Sequence, residues 1–251
     1  MPLKLLPWQT VCEKTLLESS RKDALCFWGH GHSLAGAQIP PFDYRYEHTL
    51  AVVKLGEWLA PLVSADCETI ICAAWLHDCK KKLGFKGKDN HAAKAAEALE
   101  KILEGSDFPS KKIPAVRHAI LHHVGLKLSE TLKPIETACL WDIDKLSKLG
   151  AASLVHSIAI DSAFQPTTTT DVLTKGEQWL EVAHGIVISM NTAPAKSEAR
   201  ARFELLQRFY KRLRDEWGNS AENMVVPRTK KLNAANDSMK KINLSGLTDN
   251  E

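Results

Sequence analysis

An all-α fold is what this chain predicts, on three observations. Apolar residues recur at intervals of three and four through most of its length, alternating β-branched runs are scarce, and Gly or Pro separates the periodic stretches. Residues 8–22 read as a first amphipathic helix. A connector over 29–42 follows, with Gly29, Gly31, Gly36, Pro40 and Pro41. It also holds His30 and His32, whose spacing could suit a metal. A loop of this composition offers no rigid frame, so surface histidines are the favoured reading. Asp43 is a good N-cap for a helix ending near Pro61, with Leu50, Val53, Leu55 and Trp58 on its buried side. The next helix runs from about Asp66 to Lys82. The loop Leu83–Lys88 leads to Asp89 and Asn90, which cap an alanine-rich helix over 91–104. Further helices are expected over 110–124, 133–149, 150–163, 169–190 and 195–217, punctuated by Gly105, Pro109, Gly125, Pro134, Pro166 and Pro194.

The stretch 219–251 has no aromatic residue and is rich in Asn, Ser, Lys and Asp, so it reads as a disordered tail. There is no internal repeat. The expected organisation is an N-terminal helix and connector (1–42), a main helical domain (43–165), extra C-terminal helices packing on it (166–218) and the tail (219–251).

Composition excludes more than it selects. Hydrophobic residues at 44% and charged residues at 25% are ordinary globular values, and a net charge of +3 calls for neither nucleic acid nor membrane. The basic helix 195–217 carries Arg200, Arg202, Arg208, Lys211, Arg212 and Arg214. Glu198, Glu204, Asp215 and Glu216 dilute that charge, which favours an amphipathic helix lying on the domain over a nucleic-acid surface. The opening Met-Pro-Leu-Lys-Leu-Leu-Pro-Trp is too short and broken for a signal peptide, and no apolar run approaches the ~20 residues of a membrane helix. A soluble, cytoplasmic protein is the expectation. The six cysteines form no CxxC pair and read as free thiols. Cys79, beside a His-Asp pair, could be a ligand, but buried filler is favoured.

The chemistry centres on His77-Asp78, which closes the apolar run Ile70–Leu76 and precedes Lys80, Lys81 and Lys82. A carboxylate at that place is costly to bury unless a cation meets it. The helix dipole favours lysines there but disfavours an aspartate, so Asp78 points to a metal ion or to Lys81. His48 follows Arg45 by three residues, on the same helical face. Alone it would read as a surface histidine. His118 and His122 are four apart and share a face, a spacing that suits two imidazoles on one metal or on two adjacent ones. His123 points about 100 degrees away from His122 in a regular helix, so one of the two is expected outside the ligand shell. His91 opens its helix, where the electropositive N-terminus keeps imidazole neutral and ready to bind metal. Asp142 and Asp144 lie about 200 degrees apart on a helix, so only one can face a site.

In this order and helical setting, His48, His77-Asp78 and Asp144 resemble the H…HD…D pattern of the HD-domain superfamily of metal-dependent phosphohydrolases. Arg-Tyr-Glu-His at 45–48 is similar to that family's R-x-x-H opening. Ala-Ala-Trp-Leu-His-Asp-Cys-Lys-Lys at 73–81 resembles its A-x-L-L-H-D-x-x-K segment. Ile143-Asp144-Lys145-Leu146 resembles its A-D-x-L segment, which selects Asp144 over Asp142. His91 and Ala-Ile-Leu-His-His at 119–123 resemble the extra histidines of two-metal members. The likeness covers roughly 43–160. No G-Y-P element follows His123, which disfavours cyclic-dinucleotide hydrolysis.

The resemblance implies an HD-domain helical bundle that hydrolyses a phosphate ester or nucleotide through metal-activated hydroxide. One metal would be held by His48, His77, Asp78 and Asp144. Asp78 would bridge to a second held by His91, His122 and either His118 or His123. The donors suit Mn, Fe, Zn, Co or Ni without choosing among them. Arg45 and Lys81 are the candidates for gripping phosphate, while Lys80, Lys82, Lys86 and Lys88 read as a solvated cationic approach. The expected partner is a small phosphorylated molecule. Two alternatives stand beside this reading: a metal- and nucleotide-binding sensor without turnover, and an HD-type di-iron oxygenase.

Overall fold

Each helix of the protein begins and ends where local chemistry dictates. The computed structural model describes residues 5–29, 39–82, 90–164 and 167–217. Among them are nine α-helices, one short 3-10 turn (Ser110–Lys112) and no strand. The helices are α1 (Pro7–Gly29), α2 (Tyr44–Leu62), α3 (Cys67–Leu76), α4 (His91–Leu103), α5 (Ile113–His122), α6 (Ile135–Leu146), α7 (Ala151–Phe164), α8 (Thr169–Ser189) and α9 (Ala193–Trp217). The fold is all-α, as expected. His30, His32, Lys86, Lys88, Asp89 and the stretch 219–251 lie outside the described residues.

α1 runs seven residues past its expected end at 22. Leu16, Ser20, Ala24 and Trp28 recur every fourth residue and are all buried, so the stripe that drives the helix continues. α2 starts on Asp43, whose carboxylate accepts from the backbone N–H of Tyr46 at 3.1 Å and from the Ser20 hydroxyl at 2.7 Å, tying the helix start to α1. Its buried stripe is Val52, Gly56, Leu59 and Ala60. Trp58, expected on the buried side, is 38% exposed because it lies on the face opposite Gly56. Gly56 itself permits close helix packing: a Cβ there would come within 3.1 Å of Ile71, 3.2 Å of Ile70 and 3.3 Å of Ile143.

α3 is apolar on every side and accordingly sits at the centre, against α1, α2, α5 and α6. Asp66 caps it by accepting from Thr69 N–H at 2.8 Å. The helix expected to reach Lys82 stops at Leu76. Beyond it the chain tightens into three-residue turns, Cys79 N–H to Leu76 O and Lys81 N–H to Asp78 O, both 3.1 Å. Ser19 of α1 donates to the Cys79 carbonyl at 3.2 Å and holds that turn. Cys79 is buried, consistent with its reading as filler.

The C-terminal helices attach through polar contacts. Asp142 of α6 is buried and accepts from the backbone N–H and side chain of both Asn191 and Thr192, at 2.7 to 2.9 Å, at the start of α9. Arg202 donates to the Leu146 carbonyl at 2.9 Å and lies over Gly150, whose φ of +83° turns the chain from α6 into α7. All of this belongs to one compact unit ending at Lys211. A second begins at Arg212, where Arg212 Nε donates to Glu216 at 2.5 Å.

Candidate metal centre

Five separate elements deliver buried imidazoles and carboxylates to one place. His48 comes from the second turn of α2, His77 and Asp78 from the turn after α3, and His91 from the first residue of α4. His123 follows the last residue of α5, and Asp144 lies on α6. Every one of these side chains is buried. His48 Nε2 lies 3.3 Å from His77 Nε2, 3.2 Å from Asp144 Oδ1 and 3.8 Å from Asp78 Oδ2. His77 Nε2 is 3.7 Å from Asp78 Oδ2 and 3.9 Å from Asp144 Oδ1. On the other side of the same carboxylate, Asp78 Oδ1 is 3.3 Å from His91 Nε2 and 3.6 Å from His123 Nε2.

The backbone sets the tautomers. His77 Nδ1 pairs with the Ala74 carbonyl at 2.8 Å and His123 Nδ1 with the Ile120 carbonyl at 2.6 Å, so each ring carries its proton on Nδ1. Ser147 gives its single proton to the Asp144 carbonyl at 2.6 Å and therefore accepts from His48 Nδ1 at 3.1 Å. In all three rings the Nε2 lone pair is left facing the centre. Burial, aided by Lys148, lowers the His48 pKa to about 4, and burial lowers that of His77 to about 3. Burial would raise Asp78 and Asp144, but the groups around each carboxylate overcome it. His77 and Lys81 hold Asp78 well below the usual carboxylate range, and Lys145 and Lys148 do the same for Asp144. Neutral imidazoles and ionised carboxylates are the forms that ligate metals.

The arrangement fits a divalent cation on its own terms. Asp78 Oδ1 is a buried carboxylate oxygen that accepts no hydrogen bond. Three groups, His48/His77/Asp78, His77/His123/Asp144 and Asp78/His91/His123, each bring ligand atoms within 4.8 Å of one another. Among the described residues no donor makes a hydrogen bond to that oxygen, so a cation between it and the nearby His91 and His123 nitrogens would supply the missing partner.

Other candidates end up elsewhere. His118 and His122 do share a face, with rings stacked 4.2 Å apart, but neither stands in any of the three ligand groups. His118 Nδ1 pairs with Thr137 Oγ1 at 2.8 Å, His122 Nδ1 with the His118 carbonyl at 2.8 Å, and His122 is exposed. The histidine that reaches Asp78 from this segment is His123, which keeps helical backbone angles and continues the buried stripe of Val116, Ala119 and Ile120. Arg45 is buried and its guanidinium lies 3.8 Å from Asp23 of α1. Lys81 Nζ meets Asp78 Oδ2 at 2.9 Å with its side chain 40% exposed, while Lys80 and Lys82 are exposed.

Three residues at the centre escaped the sequence reading. Lys148 Nζ lies 2.8 Å from Asp144 Oδ1, an i,i+4 pair that helical spacing could have revealed. Lys145 is buried, contacts Asp144 Oδ2, donates to the His123 carbonyl at 2.9 Å and lies 5.5 Å from the Trp141 ring centre. Neither it nor Ser147 carries a sequence signal, since their partners come from α5 and α2.

The HD domain family model matches residues 45–149. Over those residues the chain is similar to an HD domain. Solved structures agree in fold. A Lactobacillus plantarum protein is 20% identical with a TM-score of 0.56, covering 86% of this chain and 99% of its own. Bacillus subtilis YpgQ in complex with ADP is 17% identical with a TM-score of 0.54, covering 84% and 97%. An HD-superfamily hydrolase from Bacillus thuringiensis is 22% identical with a TM-score of 0.53, covering 85% and 100%. A search of curated proteins by sequence finds no match. The cluster around Asp78 lies wholly within the matched residues.

Proposed function

We propose that the HD domain is a metal-dependent phosphohydrolase acting on a phosphate ester or nucleotide. The observation that carries this reading is the two-sided Asp78 carboxylate. Its Oδ2 faces the His48 and His77 nitrogens, and its unpartnered Oδ1 faces those of His91 and His123. His48, His77, Asp78 and Asp144 would hold one cation. Asp78, His91 and His123 would hold a second, without His118 or His122. A divalent cation bound there supplies Lewis acidity, which stabilises charge on phosphoryl oxygen and lowers the pKa of water from ~16 towards ~7.

The chain's own residues do the rest. The Nδ1 protons of His77 and His123, tied to backbone carbonyls, and that of His48, tied to the Ser147 hydroxyl, keep these three rings aimed. Lys81 and Lys148 each bond one carboxylate oxygen and keep part of their surface in solvent, so each ammonium can also take a phosphate oxygen. Arg45, paired towards Asp23, is the weaker candidate for that grip. The ADP held by YpgQ supports a nucleotide as the phosphate compound. The division at 42, 165 and 218 belongs to the same proposal. No described helix is long and apolar enough to cross a membrane.

The test is a screen of nucleotides and simple phosphate esters with the full chain, loaded in turn with Mn, Fe, Zn, Co or Ni and then stripped. Release of phosphate or pyrophosphate only when metal is present supports the reading. Tight nucleotide binding without turnover would replace it with a sensor, and oxygen uptake by the iron-loaded protein with an oxygenase.

A further inference from the structure

Three rings stand beside the metal centre without a role in it. Tyr44, in the first turn of α2, stacks on His48 with the ring centres 5.9 Å apart and the planes 7° from parallel. His156 of α7 meets Tyr44 edge-on at 5.9 Å, and Phe42 meets His156 at 5.7 Å. Two hydrogen bonds hold the segment that presents them. Trp28 Nε1 donates to the Phe42 carbonyl at 2.8 Å, and Ser20 donates to Asp43 at 2.7 Å. Rings that merely glued α7 to α2 would be expected to bury themselves, yet Phe42, Tyr44 and His156 all remain half-buried. Lys148, which reaches Asp144 at the centre, is also close enough to interact electrostatically with both Tyr44 and His156.

We propose that Tyr44, His156 and Phe42 form a specificity shelf that stacks a flat aromatic group of the substrate while Lys148 and the metal centre take its phosphate. This rests on the phosphate-binding reading above and narrows it to aromatic phosphates, with the ring either a nucleobase or a simple aryl group. Half-exposed ring surface beside His48 and an ammonium that reaches Asp144 match that pairing of a ring with an anion. Stacking tolerates different rings because every one offers a π-face, so the shelf selects for aromaticity and not for one base.

Phosphonates test this without turnover. Phenylphosphonate and methylphosphonate differ only by the ring, and calorimetry on the metal-loaded full chain should show phenylphosphonate binding about tenfold tighter or more. Tyr44→Leu and His156→Ala should each erode that ratio towards one, and Tyr44→Phe should keep it, with metal content measured in parallel. Because Tyr44 rests on His48, His156→Ala decides the matter if Tyr44→Leu loses metal. Adenosine monophosphate against ribose 5-phosphate then distinguishes the two sources. A larger ratio than the phosphonate pair supports a nucleobase on the shelf, and a smaller one above unity supports an aryl group. Equal affinities in the wild type, or a preference that survives His156→Ala, overturn the shelf. Failure of both phosphonates to bind removes the phosphate site and the shelf with it. An aromatic preference without any hydrolysis leaves the shelf standing and overturns only the hydrolase.

Discussion

The ammonium of Lys145 donates to the backbone carbonyl of His123 at 2.9 Å while also touching Asp144, so one buried cation joins the residue after α5 to the acid on α6. The two ligands approach from different helices, and Lys145 is the direct link between them. Removing one partner of a buried ion pair typically costs about 3–5 kcal/mol. Lys145→Met should therefore melt well below the wild type when metal-free. Added metal should recover more stability in the variant than in the wild type, because a cation replaces the missing ammonium. Scanning calorimetry with and without metal checks this, and an unchanged melting temperature would refute it.

Asp78→Ala removes the carboxylate whose two oxygens face the two histidine groups. Activity should fall about a thousandfold or more, since metal stabilisation of several kcal/mol converts at 1.36 kcal/mol per decade. The helical circular-dichroism spectrum should persist. Full activity of the variant in a metal-replete assay would end the proposed mechanism.

Metal analysis separates the histidines. His91→Ala and His123→Ala should each lower bound metal, whereas His118→Ala and His122→Ala should leave it unchanged, because their rings stack on each other and stand in none of the ligand groups around Asp78. Loss of metal from the His122 variant would show that the α5 pair is a ligand after all.

Acid should destabilise the metal-free protein. Folded His48 has its pKa lowered to about 4 by burial, below the ordinary value of 6.5, so between those limits the unfolded chain binds a proton that the folded one refuses. Stability is thus present above pH 6.5 and declines as pH falls towards 4, by ~3 kcal/mol for this group alone. His77, lowered to about 3, acts in the same direction. Urea midpoints at pH 7, 6 and 5 should decrease in that order, and His48→Gln should flatten the trend. A midpoint independent of pH would contradict neutral buried rings.

Helical periodicity and capping residues carried most of the architecture. Asp43 caps the helix it was expected to cap, and Asp66 caps the helix expected to begin there, since an N-cap is a contact between residues three apart. Asp78 was legible as a costly carboxylate closing an apolar run, whereas His48 and the choice of Asp144 over Asp142 came from the resemblance to the H…HD…D pattern. The opposition of Asp142 and Asp144 was legible too, from their angular separation alone. One faces Asn191 and Thr192, the other His48.

The sequence by itself determined the helical class and the succession of ligand-capable residues, because those depend on spacing along one chain. Only the tertiary structure decided which way each face points. The spacing of His118 and His122 correctly puts them together but says nothing of what lies opposite. His123 continues the buried stripe of Val116, Ala119 and Ile120, and the packing of that stripe brings it to Asp78. Lys145 and Ser147 gain their roles from His123 and His48 on other helices, and Tyr44 meets His156 only because α7 packs beside α2. Spacing sets relative angles within a helix, whereas the packing of α3 against α1, α2, α5 and α6 sets which of those angles faces the metal centre.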